Sequence, residues 1–166
     1  MRAIILPNEL GGLFPLTEIM PTAMMPVLSR PVMVGAVEQL AQQGIKNVIV
    51  SLAHLPGSVE AYFGAGQRWN LSIEYVLQRE LWGTAGAIKW AENLLTETFL
   101  VLPADQVFEL RIQPLLEWHQ KKGSCATRIL HARGTGMKVS LTPDGRVDPH
   151  PQDDARLLAD TGIYLF

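Results

Sequence analysis

Residues 3–17 read Ala3-Ile4-Ile5-Leu6-Pro7-Asn8-Glu9-Leu10-Gly11-Gly12-Leu13-Phe14-Pro15-Leu16-Thr17. The apolar residues 3–6 predict a buried strand, and the proline, asparagine and glycines behind them predict that this strand runs directly into a turn. Ligands of open α/β sheets bind outside the carboxyl ends of the strands, and a glycine-containing loop lets backbone N–H groups approach an anion. The stretch is therefore typical of a phosphate-binding loop, although glycines also serve any tight turn.

Helices and strands alternate after this loop. The predicted elements are a helix from 31 to a stop at 44, a strand at 48–52, a helix at 56–63, a strand at 71–77, a helix at 87–95 that follows the Gly83-Thr84-Ala85-Gly86 stretch, a strand at 99–102 and a helix at 114–123. This alternation predicts an α/β fold in which a mostly parallel sheet is covered by helices on both faces.

The pattern changes behind residue 123. Strands are predicted at 126–131, 137–141 and 161–166, with a turn at 142–145 and a polar loop at 148–154, so we expect an antiparallel addition to the sheet. The last strand ends on an apolar residue, Phe166, whereas chain ends are usually polar and loosely ordered. We therefore expect residues 1–166 to be a single domain that forms the amino-terminal part of a longer chain.

Composition narrows the class of protein. The chain has 166 residues, of which 48% are hydrophobic and 18% charged, and this balance favours a folded domain over a disordered one. With 14 basic and 16 acidic residues the net charge is -2, which argues against nucleic acid or a membrane surface as partner. No long apolar segment follows a basic flank, so we expect a cytoplasmic protein.

The single cysteine, Cys125, excludes an internal disulfide and fits a reducing compartment. Free cysteine is among the most buried residue types, so a core position is expected for it. The four histidines lack the spacing of a metal site, and the serines lack the context of a hydrolase nucleophile.

Three positions are candidates for binding. Asp105 follows a predicted strand, where an acid could hold Mg²⁺ against nucleotide phosphates or merely cap the next helix. Gln78 also follows a strand and could offer its amide to a base, although most glutamines lie on the surface. The stretch 83–86 would let the backbone pass close to a ligand, and its alternative role is only to start a helix.

Many short stretches fall in an order that resembles the sugar-phosphate nucleotidyltransferases, which make nucleotide sugars from a nucleoside triphosphate and a sugar phosphate. The resemblance covers essentially the whole chain. It is carried by the following stretches: Met1-Arg2-Ala3-Ile4-Ile5-Leu6, Pro15-Leu16-Thr17-Glu18, Met20-Pro21, Pro26-Val27, Arg30-Pro31, Glu38-Gln39-Leu40, Gly44-Ile45, Tyr62-Phe63-Gly64, Ile73-Glu74-Tyr75, Gly83-Thr84-Ala85-Gly86-Ala87, Phe99-Leu100-Val101-Leu102, Asp105 and Gly162-Ile163-Tyr164.

The resemblance implies a Rossmann-like, three-layer α/β/α fold and a site for a nucleoside triphosphate or nucleotide sugar beside a sugar-1-phosphate. It also implies Mg²⁺ held partly by Asp105, which is the best candidate for a catalytic residue, and a homo-oligomer or a fusion to further domains. The implied nucleotide-binding residues are Leu6, Asn8, Gly11, Gly12, Gln78, Gly83 and Thr84.

The chain departs from the family pattern at three cationic or sugar-site elements. The opening signature lacks its arginine and carries Glu9 near the expected phosphates, a Lys-Pro is replaced by Thr22-Ala23, and a Glu-Lys-Pro after the Asp-Gly-Arg-Val turn is absent. One well-placed arginine in phosphoryl transfer is worth roughly 10³ to 10⁵ in rate. The sequence therefore predicts a degenerate domain with impaired catalysis and a role in nucleotide sensing, regulation or assembly.

Two alternatives stay open at this point. The chain is a working nucleotidyltransferase if Arg2, Arg30 or a neighbouring subunit supplies the missing charge and the carboxyl-terminal part of the longer chain supplies the rest of the site. It is a protein-interaction module if its apolar cluster forms a contact surface, whereas the same residues would otherwise fill the core. The cluster consists of Ile19, Met20, Met24, Met25, Val32 and Met33.

Overall fold

The computed structural model describes residues 1–7, 13–80, 82–134, 137–148 and 157–166. The strands in this part of the chain are β1 (Arg2–Leu6), β2 (Pro26–Val27), β3 (Arg30–Pro31), β4 (Asn47–Leu52), β5 (Ser72–Leu77), β6 (Phe99–Pro103), β7 (Thr127–His131), β8 (Lys138–Leu141), β9 (Val147–Asp148) and β10 (Leu158–Leu165). The α-helices are α1 (Met33–Gln42), α2 (Pro56–Phe63), α3 (Gly83–Trp90) and α4 (Ile112–Lys122). Short 3₁₀ helices lie at Leu16–Glu18, Thr22–Met24, Gln67–Trp69 and Glu92–Leu94.

The central sheet has the strand order β5-β4-β1-β6-β10-β8-β9, with β7 also paired to β10. Strands β5, β4, β1 and β6 are parallel, and β10 runs antiparallel to β6. The predicted mostly parallel sheet with an antiparallel addition is therefore confirmed. The chain moves from β1 to one side for β4 and β5 and returns to the other side of β1 for β6. This reversal places a crevice at the carboxyl ends of β1 and β6, where α/β sheets bind ligands.

Alternate residues of the strands pack into two separate cores, because successive side chains of a strand point to opposite faces of the sheet. Ala3 and Ile5 lie in the cluster covered by α1, α2 and α4, whereas Ile4 and Leu6 lie in the cluster covered by α3. Helices therefore cover both faces, and the predicted three-layer arrangement is confirmed.

Several boundaries differ from the sequence prediction. Helix α3 begins at Gly83, so the predicted lead-in is its first turn, and α4 begins at Ile112 because Pro114 needs no N–H partner there. Strand β10 begins at Leu158 although it carries polar side chains at 160 and 161. Cys125 is exposed between α4 and β7, so the expected core position was wrong. No helix in the described part of the chain is long and apolar enough to cross a membrane.

A polar network explains why the polar residues of β10 are tolerated in the sheet. The Asp160 side chain is only 7% exposed and is paired with the Arg128 guanidinium. It also accepts hydrogen bonds from the Tyr164 hydroxyl at 2.9 Å and the Gly162 N–H at 3.1 Å. Burial by itself raises the pKa of Asp160, but the bonds from Arg128, Gly162 and Tyr164 outweigh burial and hold that pKa below its ordinary value.

The lowered pKa of Asp160 makes a prediction about acid stability. Because the folded pKa lies below the unfolded value of about 4, the network stabilises the fold above that value and loses its contribution as the pH falls through the folded pKa. We expect Asp160→Asn to lower the free energy of unfolding at pH 7 by about 2–3 kcal/mol. We also expect the free energy of unfolding of this variant to fall less steeply than that of the parent protein as the pH decreases. Urea unfolding from pH 7 to pH 3 measures both effects.

Glu109→Gln is the matched control, since Glu109 is an exposed acid outside this network. It should leave the stability curve nearly unchanged. If Asp160→Asn and the parent protein declined in parallel as the pH falls, the stabilising role of the Asp160 carboxylate would be refuted.

Candidate functional site

The carboxyl ends of the parallel strands are held in register. Leu6 pairs with Pro103 and Leu52 with Leu77. The pairing extends past the strands, since the Ala104 N–H donates to the Leu6 carbonyl at 2.8 Å and the Gln78 N–H donates to the Leu52 carbonyl at 2.8 Å. Gln78, Asp105 and the start of the amino-terminal loop therefore lie along one edge of the sheet.

Asp105 lies at the crevice between the ends of β1 and β6. It is half-buried, its Oδ1 atom is buried, and it follows the buried Ala104. The N-cap position of α4 is occupied by Arg111. The alternative interpretation of Asp105 as the cap of the next helix was therefore wrong. Asp105 therefore lies beside the end of β1, where the amino-terminal loop begins.

A single carboxylate suits Mg²⁺ when phosphates are also present, because this ion is usually held by one or two carboxylates, substrate phosphates and waters. Among the described residues, no group of three or more histidine, cysteine and acidic side chains could hold a metal ion by itself. Asp105 therefore fits as one protein ligand of a metal that the nucleotide also binds.

Gln78 is buried, and its Nε2 donates to Ser51 Oγ at 2.8 Å. The alternative of a surface glutamine was therefore wrong. Ser51 is the penultimate residue of β4 and is itself buried, so it fixes the direction of the Gln78 amide at the edge of the sheet. Sequence analysis assigned no role to Ser51, because its partner Gln78 is 27 residues away along the chain.

Gly83 and Thr84 are exposed in the first turn of α3, and Gly83 has φ +68°. The interpretation of this stretch as a helix start is confirmed, and contact with a ligand stays a prediction. Gly86 has a packing role, since a Cβ there would lie 2.2 Å from the Cβ of Trp82.

The packing of Gly86 leads to a stability prediction. Gly86→Ala should lower the free energy of unfolding by about 1–3 kcal/mol, because Trp82 and α3 must move apart to admit the methyl group. Gly35→Ala is the matched control: a Cβ there meets nothing within 4 Å, and alanine favours the helix by about 1 kcal/mol. Urea unfolding compares the variants, and equal or reversed effects would contradict the steric account.

The remaining nucleotide-binding candidates belong to the amino-terminal loop. Leu6 is the buried last residue of β1, and its carbonyl already accepts the Ala104 N–H. Asn8, Gly11 and Gly12 lie outside the described residues. The Thr17 carbonyl behind this loop is bonded to His54 Nε2 at 2.9 Å, which ties residue 17 to the segment after β4.

Neither arginine proposed to replace the missing cation is free at the described site. Arg2 begins β1, about 13 Å along the strand from Leu6, and its guanidinium pairs with Glu74 at 3.2 Å. Arg30 lies in the β2–β3 hairpin and pairs with Glu38 at 2.7 Å. Arg2 therefore lies at the opposite, amino-terminal edge of the parallel strands. The charge of Arg30 is matched by the Glu38 carboxylate.

The apolar cluster that suggested an interaction module is divided. Val32 and Met33, at the start of α1, are buried. Met33 belongs to the main core cluster, and Met24 packs against the same cluster. The core-filling interpretation is therefore right for these three residues. Ile19 is different, since it is 79% exposed.

Comparison with known proteins agrees with this fold. The Nucleotidyl transferase family model matches residues 11–137, and the chain belongs to this family. It is a nucleotidyltransferase domain of the kind found in nucleotide-sugar metabolism.

Two curated relatives show the similarity. A UTP--glucose-1-phosphate uridylyltransferase of Synechocystis sp. (strain ATCC 27184 / PCC 6803 / Kazusa) is 32% identical, over 100% of this chain and 49% of its own length. A mannose-1-phosphate guanyltransferase of Emericella nidulans is 31% identical, over 78% of this chain and 37% of its own length. The chain thus spans half or less of these two relatives.

Among solved structures, HddC from Yersinia pseudotuberculosis complexed with GMP-PN has a TM-score of 0.84 and 20% sequence identity. The match covers 99% of this chain and 76% of HddC. This likeness shows the fold.

Proposed function

We propose that this domain binds a nucleoside triphosphate or nucleotide sugar, that its capacity for nucleotidyl transfer is impaired, and that it acts in sensing, regulation or assembly in nucleotide-sugar metabolism. One observation carries the proposal. Asp105 and Gln78 are held at the carboxyl edge of the sheet, whereas Arg2 and Arg30 are both engaged with acids. The arrangement supports nucleotide binding through Asp105 and Gln78, while the two arginines considered as replacements for the lost cation are each paired with an acid.

The candidate binding residues on the two sides of the crevice would contact different parts of the ligand. Asp105 and the loop after Leu6 would face the phosphates, with Mg²⁺ supplying charge neutralisation when it is bound. Gln78, oriented by Ser51, would face the base near Gly83 and Thr84. A sugar-1-phosphate is the expected second ligand, because curated relatives are named as glucose-1-phosphate and mannose-1-phosphate transferases.

The proposed impairment of nucleotidyl transfer follows from the lack of a positive charge at the reacting phosphates. Negative charge that develops on phosphoryl oxygens must be stabilised by cations or N–H donors, and a well-placed arginine is worth roughly 10³ to 10⁵ in rate. Glu9 adds an anion to the loop in which the arginine is missing. Binding survives such a loss more readily than transfer does, because the transition state is the species that needs the cation most.

Titration calorimetry of the whole chain tests the binding half of the proposal. We expect micromolar to millimolar binding of at least one nucleoside triphosphate in the presence of Mg²⁺, and weaker binding of the same nucleotide in EDTA. If no nucleotide bound at millimolar concentration while light scattering showed a defined oligomer, the interaction module would be the better assignment. The exposed Ile19 would then be the first residue to replace.

An active nucleotidyltransferase is the second candidate function. It is favoured by the 32% identity to a uridylyltransferase across the chain and by the retained Asp105 and Gln78. It requires that a subunit neighbour supply the missing positive charge. Rapid release of pyrophosphate distinguishes this candidate from the proposed function.

A further inference from the structure

Gln39 on α1 and Gln43, the residue that directly follows this helix, bind the segment after Asp105. The Gln39 side-chain amide donates to the Phe108 carbonyl, and its Oε1 accepts the Leu110 N–H at 2.9 Å. The Gln43 amide donates to the Leu110 carbonyl at 2.6 Å, and its Oε1 accepts the Ile112 N–H at 2.7 Å. Each side chain therefore uses both its donor and its acceptor on the backbone.

The bonds follow a regular pattern along the segment. Residues four apart on a helix lie on the same face, so Gln39 and Gln43 form one row. Their partners are the alternate residues Phe108, Leu110 and Ile112, as they would be along the edge of a strand. Phe108 and Leu110 also pack against the main core cluster, so the contact combines directional bonds with burial.

Asp105 lies between this contact and the sheet. On one side, the Ala104 N–H is bonded to the Leu6 carbonyl at 2.8 Å. On the other side, Phe108 is the first residue that the glutamines bind. Only residues 105–107 separate the two anchors, so the backbone that carries the Asp105 carboxylate has little freedom.

We infer that Gln39 and Gln43 are positioning residues for Asp105: they order residues 105–107 and thereby hold the carboxylate at the crevice where phosphate and metal meet. This inference rests on the proposed role of Asp105 in binding a metal–nucleotide complex. Loss of the two side chains would free the segment from 105 to 111 at one end, so that binding would have to order its backbone again at a cost in conformational entropy.

The test uses the double variant Gln39→Ala/Gln43→Ala, with Gln42→Ala as the control, because Gln42 is exposed on the same helix. The first measurement is the NMR order parameter of the backbone N–H groups of residues 105–107 in the ligand-free protein. These groups are not themselves bonded to the glutamines, so a lower order parameter reports motion of the backbone and not merely the loss of those bonds. We expect the order parameter to fall from about 0.85, the value of rigid backbone, to below about 0.6 in the double variant and to stay unchanged in the control.

The second measurement is the ratio of nucleotide Kd values in EDTA and in Mg²⁺. We expect this ratio to fall at least fivefold in the double variant while the Kd in EDTA stays constant. Unchanged order parameters at 105–107, or an unchanged ratio, would overturn the inference. The single variant Gln43→Ala provides a milder form if the double variant does not fold, and it should shift both readouts in the same direction.

The two proposals fail in different ways. If the parent protein shows no Mg²⁺-dependent increase in nucleotide affinity, the metal-binding role of Asp105 fails, and its positioning for a metal is overturned with it. If the parent protein shows the increase and the double variant keeps it in full, only the positioning role is overturned.

Discussion

Asp105→Asn is expected to remove the Mg²⁺-dependent part of nucleotide binding, raising the Kd in Mg²⁺ at least tenfold. A tenfold change corresponds to about 1.4 kcal/mol. The substitution keeps the shape of the side chain but replaces the carboxylate with a neutral amide, whereas Mg²⁺ sites are built on carboxylates and phosphates. The Kd in EDTA should change little, because no metal then links the side chain to the phosphates. Titration calorimetry with and without Mg²⁺ measures both values.

Glu109→Gln is the control for this substitution, since Glu109 is an exposed acid four residues further along the same segment. It removes the same charge from the protein without changing the carboxyl edge of the sheet, and its Kd values should match those of the parent protein. A loss of Mg²⁺ dependence in both variants would point to overall charge rather than to Asp105. Full Mg²⁺ dependence in Asp105→Asn would refute the proposed metal site.

The parallel half of the fold was predictable because its signals are local. Strands β1, β4 and β6 are apolar runs, and the helices between them carry apolar residues at helical spacing with glycine near their ends. The start of β10 was not predictable in this way. Asp160 is polar and becomes part of a strand because Arg128 and Tyr164 satisfy it, and Arg128 is 32 residues away along the chain.

Part of the site was also predictable, since Asp105 and Gln78 directly follow strands whose carboxyl ends meet at one edge. The residues that hold this edge in place were not. Ser51 is recognised only through the Gln78 amide, and Gln39 only through bonds to a segment about 70 residues later. Such partners leave no spacing pattern in the sequence, because the fold rather than the local chain brings them together. The pair of glutamines four residues apart at the carboxyl end of α1 is the one local sign of this contact.

The second large effect concerns the rate of transfer. We expect this chain to release pyrophosphate at less than about 10⁻² turnovers per second, whereas typical enzymes reach 1–10³ per second. The loss of one arginine from a phosphoryl-transfer site is sufficient for a deficit of 10³ or more. In the described part of the chain, Arg2 is paired at the opposite edge of the sheet and Arg30 is paired with Glu38, so neither offsets the loss. Release of pyrophosphate in a coupled phosphate assay measures this rate.

The central claim is that the domain has kept nucleotide binding and lost efficient transfer, and steady-state pyrophosphate release tests it most directly. The whole chain is incubated with Mg²⁺, each common nucleoside triphosphate and a panel of hexose 1-phosphates, at concentrations above the measured Kd of the nucleotide. We predict a turnover below about 10⁻² per second for every pair, despite saturated nucleotide binding. A turnover of about one per second or faster with any pair would contradict the claim and establish a working nucleotidyltransferase.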